Sequence, residues 1–245
     1  EVEYKKVLDL MINTSKHDEL IKETFHKKIY PFLSEKKFFL DIGAGAGKIC
    51  KDLKKYFLFT EAIESNKTLQ EALVKEGISC AHSSFIDYQA KQNFNFILCS
   101  HVLYHFSFQE IKIFLNKIWN LLTEGGACLL VMASPKGTCH KLKSNFNSSF
   151  THSGDLRKVL EDLGISFENF EMVNRITCYT YEDSLKLANF MVFEDCFLPE
   201  DFNNLSQKNI LAIQDKIKKE VNLLKNEGKY KFYQTEDHFL LSRKK

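Results

Sequence analysis

The chain has no apolar run near the ~20 residues that a membrane helix needs, and its first residues carry no secretory pattern, so neither a membrane partner nor export is expected. It begins at Glu1 rather than methionine, so further residues are expected before it. Charge of one sign is also missing. Lys and Arg number 34 against 32 Asp and Glu, and a net charge of +2 supplies no broad field for nucleic acid or an acidic surface. Cysteine occurs seven times, at positions 50, 80, 99, 128, 139, 178 and 196, never as a C-x-x-C pair. Cys99 and Cys128 sit in apolar runs where a reduced thiol behaves as a small core residue, so a cytoplasmic location is expected. The histidines at 17, 26, 82, 140, 152 and 238 lack H-E-x-x-H spacing, and no metal is expected. No G-x-S-x-G is present, which removes the usual hydrolase elbow. Three prolines leave no obvious linker, and there are no repeats or low-complexity tracts. A 44% hydrophobic content at this length is ordinary for one globular domain, here 1–245.

What is present centres on Leu40-Asp41-Ile42-Gly43-Ala44-Gly45-Ala46-Gly47. The apolar run up to Leu40 reads as a buried strand, and Ile49, Leu53 and Tyr56 have helical spacing. Glycines on alternate positions let the backbone turn tightly and approach a ligand where a helix begins. The pattern D-x-G-x-G-x-G is not the dinucleotide G-x-G-x-x-G, because Lys48 stands where the third glycine would be. Nor is it a phosphate loop, since Ile49 rather than Ser or Thr follows Lys48. A second strand candidate ends in Glu64, about 20 residues past the loop, the place from which an acid accepts hydrogen bonds from ribose hydroxyls. Glu61 is the alternative, but it falls in mid-strand, away from the ligand edge.

The chain then alternates. Leu69, Ala72 and Leu73 form a helical face closed by Gly77, followed by strands at 78–81 and 94–99. Ser107 with Glu110 makes a capping box for a helix bearing Ile111, Phe114, Leu115 and Ile118. A fifth strand is predicted at 128–132, a helix through Leu156, Val159 and Leu160, and a sixth strand at 167–176. Such alternation predicts an α/β doubly wound sheet. Before it, one helix carries Tyr4, Val7, Leu8 and Met11 on one face, and a second runs from about 18 to 29 and stops at Tyr30-Pro31. After it, 181–228 is helical and only 238–241 supplies a last strand. The expected organisation is therefore a helical lid at 1–34, a cofactor-binding core at 35–176, a helical insert at 177–232 and a last strand at 233–245.

Asp41 to Gly47 resembles motif I of the class I S-adenosylmethionine-dependent methyltransferases. Ser100-His101-Val102-Leu103-Tyr104-His105 resembles the "S-x-V-L-H-H" that often follows strand four in that family, and Leu121 to Gly126 its "L-L-K-P-G-G"; the matches cover about residues 36 to 134. The resemblance implies a mostly parallel, seven-stranded Rossmann-like sheet and S-adenosylmethionine as cofactor. It implies contacts to the cofactor from Asp41, Gly43, Ala44, Gly45, Gly47, Glu64, Ser65, Ser84, Phe85, Ser100 and His101. Residues 100–103 lack the [D/N]-P-P-[Y/F] of members that methylate exocyclic amino groups of adenine or glutamine amides. The N-terminal helices and the insert resemble the small-molecule branch, the histamine N-methyltransferases among them, so a small-molecule acceptor bound by Tyr4, Tyr104 and His105 is expected. If that acceptor arrives protonated, Tyr104, His105 or His17 would serve as base. Methylation of RNA or protein, and cofactor binding without catalysis, are the alternatives.

Overall fold

The computed structural model describes residues 2–147, 150–197 and 204–243, and within these the side chains of residues 2–5, 8, 105 and 195 fall outside the description. Two compact units are present, each assembled from three stretches: Asp18–Met132, Ser153–Met172 and Asp237–Lys245 in the first, Glu1–His17, Ala133–His152 and Val173–Glu236 in the second.

The first unit is built on parallel strands. Strands β1 (Phe38–Ile42), β2 (Phe59–Ile63), β3 (Ser79–Ala81), β4 (Phe94–Ser100) and β5 (Leu122–Ala133) alternate with helices α3 (Lys48–Lys54), α4 (Lys67–Lys75) and α5 (Phe108–Leu121); α1 (Val2–Thr14) and α2 (His17–Thr24) precede them. The strand order is β3-β2-β1-β4-β5-β8-β6, where β6 is Phe167–Cys178 and β8 is Lys229–Ser242; the path thus has the seven strands expected. The pairs β1/β2, β1/β4, β2/β3 and β4/β5 are parallel. Strand β8 runs the other way. Gly125 donates to Arg243 O and Arg243 to Gly126 O at one end of β5, while Ser134 donates to Thr235 O beyond the other end.

Both faces of the central strands β1, β4 and β5 are buried, which is why these strands read as apolar runs. The period of two sorts them cleanly: Leu40, Ile42, Ile97, Cys99, Cys128 and Leu130 pack on one face with α5 and α7 (Ser153–Asp162). Phe39, Phe96, Leu98, Leu129 and Val131 pack on the other with Ile21, Phe25 and Ile29. Phe39 and Phe96 stack across neighbouring strands at 5.3 Å, an arrangement worth about 0.5–1.5 kcal/mol beyond burial. The one polar residue buried within β4, Asn95, sits at the register shift between β4 and β5. Its Oδ1 accepts from the backbone of Lys37 (3.1 Å) and Phe38 (2.8 Å), so it fixes the start of β1.

The second unit holds α1, α6 (Gly137–Ser144), α8 (Tyr181–Cys196), α9 (Gln207–Leu223) and the short β7 (Lys225–Asn226), which forms a hairpin with β8. Its core gathers Leu142, Ile176, Leu187, Val192, Ile217 and Phe232, with Val7, Leu10 and Met11 of α1 against them. Thr180 and Ser206 cap α8 and α9 by accepting from the backbone N–H three residues on.

Several sequence-based boundaries differ; the fifth strand, expected at 128–132, already starts at Leu122. The helix expected at 18–29 is α-helical only to Thr24; Phe25–Ile29 is a π segment in which Tyr30 N–H reaches Phe25 O, and Pro31 then sits in a 3₁₀ turn at Tyr30–Phe32. The wider turn places Phe25 and Ile29 both inside the core. Helix α6, where only Cys139 and Leu142 of GTCHKLKS offer apolar burial, has too weak a periodicity to read. Strand β8 begins nine residues before 238, because Thr235, Glu236, Asp237 and His238 are polar yet buried, each with side-chain or backbone partners.

The capping box is as expected. Ser107 Oγ accepts from Glu110 N–H and Glu110 Oε2 from Ser107 N–H at 2.8 Å. Ser107→Ala should lower unfolding free energy by about 1 kcal/mol with an unchanged denaturant slope, measured by urea titration.

Candidate functional site

The carboxyl ends of β1, β2 and β4 carry the loops that the sequence singles out. The three loop glycines all have positive φ, at 70°, 56° and 74° for Gly43, Gly45 and Gly47, but for different reasons. A Cβ on Gly43 would collide with Val102 Cγ2 and one on Gly47 with Leu73 Cδ2, so these two permit close packing. Nothing lies within 4 Å of where a Cβ on Gly45 would be. That is the open side of the loop.

The loop is tied to the end of β2. Gly43 and Ala44 donate to Ile63 O at 2.8 and 3.2 Å. Gly45 N–H donates to Glu64 Oε2 and Asn66 N–H to Glu64 Oε1, both at 2.8 Å. Glu64 is thus buried and oriented by two backbone donors, with one oxygen beside the open glycine. Glu61, in contrast, accepts from Gln92 Nε2 at 3.2 Å and from the Tyr88 hydroxyl, which anchors the stretch after β3. Ser65 follows Glu64 and its carbonyl accepts from His82 Nε2 at 3.0 Å.

Asp41, on β1, is 4% exposed. Burial is the main reason that its carboxyl is pushed up from 3.8 to about 7; the Glu64 charge adds to this, and a hydrogen bond from the Cys50 thiol opposes it. The two acids therefore differ in kind: Glu64 is held by amides, and Asp41 by a thiol in an apolar wall. Burial and the Asp41 charge in turn push the Cys50 thiol far up, so it is an inert donor rather than a nucleophile.

After β3, Ser84 Oγ donates to Asp87 Oδ2 at 2.7 Å and accepts from Asp87 N–H. The Phe85 ring turns into the core, 4.5 Å from Phe114. Lys117 of α5 holds this loop: its Nζ donates to the carbonyls of Phe85 (2.8 Å), Ile86 (2.8 Å) and Tyr88. No sequence signal marks that role, because a lone lysine on a helix reads as a solvated charge.

After β4, Ser100 is the last strand residue and His101 adopts φ 57°, a left-handed conformation that costs a residue with a side chain about 1–2 kcal/mol. His101 N–H donates to Val131 O at 2.9 Å, and its Nδ1 lies 2.7 Å from the Tyr104 hydroxyl with the rings stacked at 5.8 Å. A strained backbone held by neighbouring strands at a ligand edge is a functional signature. His105 ends the 3₁₀ turn Leu103–His105, and its side chain, like that of Tyr4 in α1, lies outside the described residues.

His17 belongs to the second unit. Its Nδ1 lies 3.0 Å from Glu236 Oε2, and Glu236, fully buried on β8, also accepts from Asn174 Nδ2 at 2.7 Å. Glu236 escapes sequence reasoning, since its partners are 62 and 219 residues away.

A Rossmann-like sheet with a glycine loop and an oriented acid at the next strand tip defines an α/β enzyme that binds a nucleoside-containing cofactor. The sequence profile of the methyltransferase domain family matches residues 16–194, and the chain belongs to that family. No curated protein matches the sequence. Among solved structures, BH2331 from Bacillus halodurans C-125 superposes with a TM-score of 0.60 at 16% identity, covering 92% of this chain and 99% of that one. An S-adenosylmethionine-dependent methyltransferase from Archaeoglobus fulgidus gives 0.54 at 16%, covering 92% and 94%. The N-methyltransferase NodS from Bradyrhizobium japonicum WM9, bound to S-adenosylhomocysteine, gives 0.52 at 13%, covering 92% and 85%. The enzyme is a methyltransferase, and S-adenosylmethionine is its methyl donor.

The Asp41 carboxyl generates a pH test. The native state holds its proton more tightly than the unfolded chain, so this group makes stability fall as pH climbs from about 4 to about 7, by on the order of 4 kcal/mol in all. Asp41→Asn keeps the shape and an acceptor for Cys50 but has no proton to release. Urea-unfolding free energies between about pH 4 and 8 should lose most of that decline in the variant; an unaltered decline would mean that Asp41 is ionised throughout.

Proposed function

We propose that this enzyme transfers the methyl group to a nitrogen or oxygen of a small-molecule acceptor, in the cytoplasm, as one domain with its helical segments 1–34 and 177–232 serving acceptor binding. The observation that carries this reading is the His101–Tyr104 pair at the carboxyl end of β4, where a strained backbone presents a histidine and a phenol in a fixed hydrogen bond. Such a pair suits one polar group on a small ligand, and residues 100–103 lack the motif used for adenine or glutamine amides. NodS, an N-methyltransferase by its description, shares the fold.

The cofactor cradle fits the donor: Gly45 leaves space on the open side of the loop, and Glu64 is pre-oriented there. Gly43, Ala44, Gly45 and Gly47 would shape the cradle, Glu64 and Ser65 would take the ribose hydroxyls, and Asp41 and Ser100 with His101 would face the methionine portion. Ser84 would supply the polar contact to adenine, while Phe85, with its ring in the core, supports that loop from behind. S-adenosylmethionine supplies a methyl group already activated by its sulfonium charge. Positioning and exclusion of water are then the main tasks of the protein. Tyr4, Tyr104 and His105 would orient the acceptor, and Tyr104, His105 or His17 would remove its proton where one must leave. Glu236 favours the His17 tautomer with a proton on Nδ1, which leaves Nε2 as the basic nitrogen.

Calorimetry with wild type and variants tests the cradle. Glu64→Ala should weaken S-adenosylhomocysteine binding by about 1–3 kcal/mol, and Glu61→Ala should change it little. Equal losses would reassign the ribose contact. For the acceptor, the enzyme, S-adenosylmethionine and a small-metabolite extract should yield a methylated product by mass spectrometry, whereas methyl incorporation only into RNA or protein would overturn the small-molecule reading. With that product in hand, Tyr104→Phe should cut turnover by about 100-fold while cofactor affinity stays within about threefold.

A further inference from the structure

The amino edge of the sheet, opposite the ligand loops, carries a feature that methyl transfer does not use. Among the twelve exposed large hydrophobic side chains described, Phe32 (76%), Leu58 (74%) and Phe59 (56%) all fall on the chain segments that enter β1 and β2. The segments are tied together there: Leu58 N–H donates to Lys36 O and Phe59 N–H to Lys37 O. Phe59 stacks on Phe38 at 5.2 Å, and Tyr30 packs edge-on against Tyr56 at 5.2 Å. Phe32 lines a shallow groove with Lys28 and Arg243 at the same edge, beside the start of β5.

Four lysines frame this rim. Lys36 lies 4.7 Å over Tyr30, Lys37 5.1 Å over Phe38, Lys55 5.2 Å over Tyr56 and Lys28 5.2 Å over Phe170. Each sits on an aromatic ring, and none of the four has a carboxylate partner among the described residues. Of the acids on these segments, Glu23 pairs with Lys27 and Asp52 with Lys22, while Glu35, next to Lys36, and Glu124 are exposed. Cationic heads on aromatic stems around protruding Phe and Leu form a surface with both halves of an interfacial anchor: charge for anionic headgroups, and apolar side chains for the acyl boundary. A near-neutral total charge, 34 Lys and Arg against 32 Asp and Glu, gives no hint of this local arrangement.

We propose that the rim formed by Lys28, Phe32, Lys36, Lys37, Leu58 and Phe59 docks the enzyme on the surface of an anionic lipid bilayer. The partner is a membrane rather than a nucleic acid because Phe32 and Leu58, 76% and 74% exposed, offer apolar insertion, the framing cations are lysines, and Arg243 at this edge donates to the carbonyls of Trp119 and Leu122 rather than presenting a fork for phosphate. The docking is peripheral. Among the described residues no helix is long and apolar enough to cross a membrane. The carboxyl edge of the same sheet stays turned toward water, so acceptor and cofactor reach it from solution.

The test is flotation of the full chain with vesicles of phosphatidylcholine alone, and with about 30 mole per cent phosphatidylglycerol added. Binding should be at least about tenfold stronger to the anionic vesicles and should fall sharply in about 0.5 M salt. Phe32→Ser combined with Leu58→Ser, and separately Lys36→Glu combined with Lys37→Glu, should each reduce binding about tenfold or more, with circular dichroism melting curves like wild type. Reversal of Lys208 and Lys219 on α9 to glutamate should leave binding unchanged. Absence of vesicle binding, equal binding to both vesicle types, equal loss from the α9 reversal, or displacement from vesicles by single-stranded RNA at equal phosphate concentration would each overturn the proposal.

Discussion

The first unit depends on what two neighbouring buried carboxyls are given to interact with. Glu64 receives two backbone N–H groups, one from the glycine loop and one from the start of α4, and so joins β2, the loop and the next helix in a single arrangement. Asp41 receives only a thiol from α3 within an apolar wall. The Glu64 charge helps to raise the Asp41 carboxyl, so a cation beside the pair is favoured, and a sulfonium with an ammonium group is such a ligand. The loop geometry that opens Gly45 to a ligand also brings the amide of that residue to Glu64, so the cradle and its acid are set by one hydrogen bond.

Much of this was legible because its determinants are local. The D-x-G-x-G-x-G spacing, the apolar runs of β1 and β4, and the Ser107/Glu110 capping box all act within a few residues, and sterics and hydrogen bonding make them readable. What was hidden depends on partners far along the chain. Asn95 falls in the strand expected at 94–99, but nothing local shows that it is buried there and accepts from the backbone of Lys37 and Phe38. Lys117 looks like a solvated charge, and three carbonyls of another loop make it a clamp. The polar run Gln234 to His238 masks a strand because Ser153 and Asn169 satisfy Asp237, while Thr24 reaches His238.

The site shows the same division. Sequence pattern alone brought out the glycine loop and Glu64, since cofactor loops require special backbone. The stretch after β4 stood out by its composition, yet the left-handed turn at His101 and its bond to Tyr104 could not be anticipated from a histidine and a tyrosine three residues apart. Glu236 was out of reach for another reason: a glutamate in a charged C-terminal stretch gives no sign that it is fully buried against a histidine 219 positions earlier.

Strand β8 lies between β5 and β6, not at an edge. While the ribosome is still making residues 229–242, β5 shows an unpaired strand border, and β6 has no route into the sheet. The nascent chain must keep two sticky β edges apart until its last described strand emerges to fill the gap, a non-local closure of the kind that folds slowly and is prone to mispairing. Glu168, Glu171 and Arg175, interspersed among the apolar residues of β6, suit a strand that waits in water.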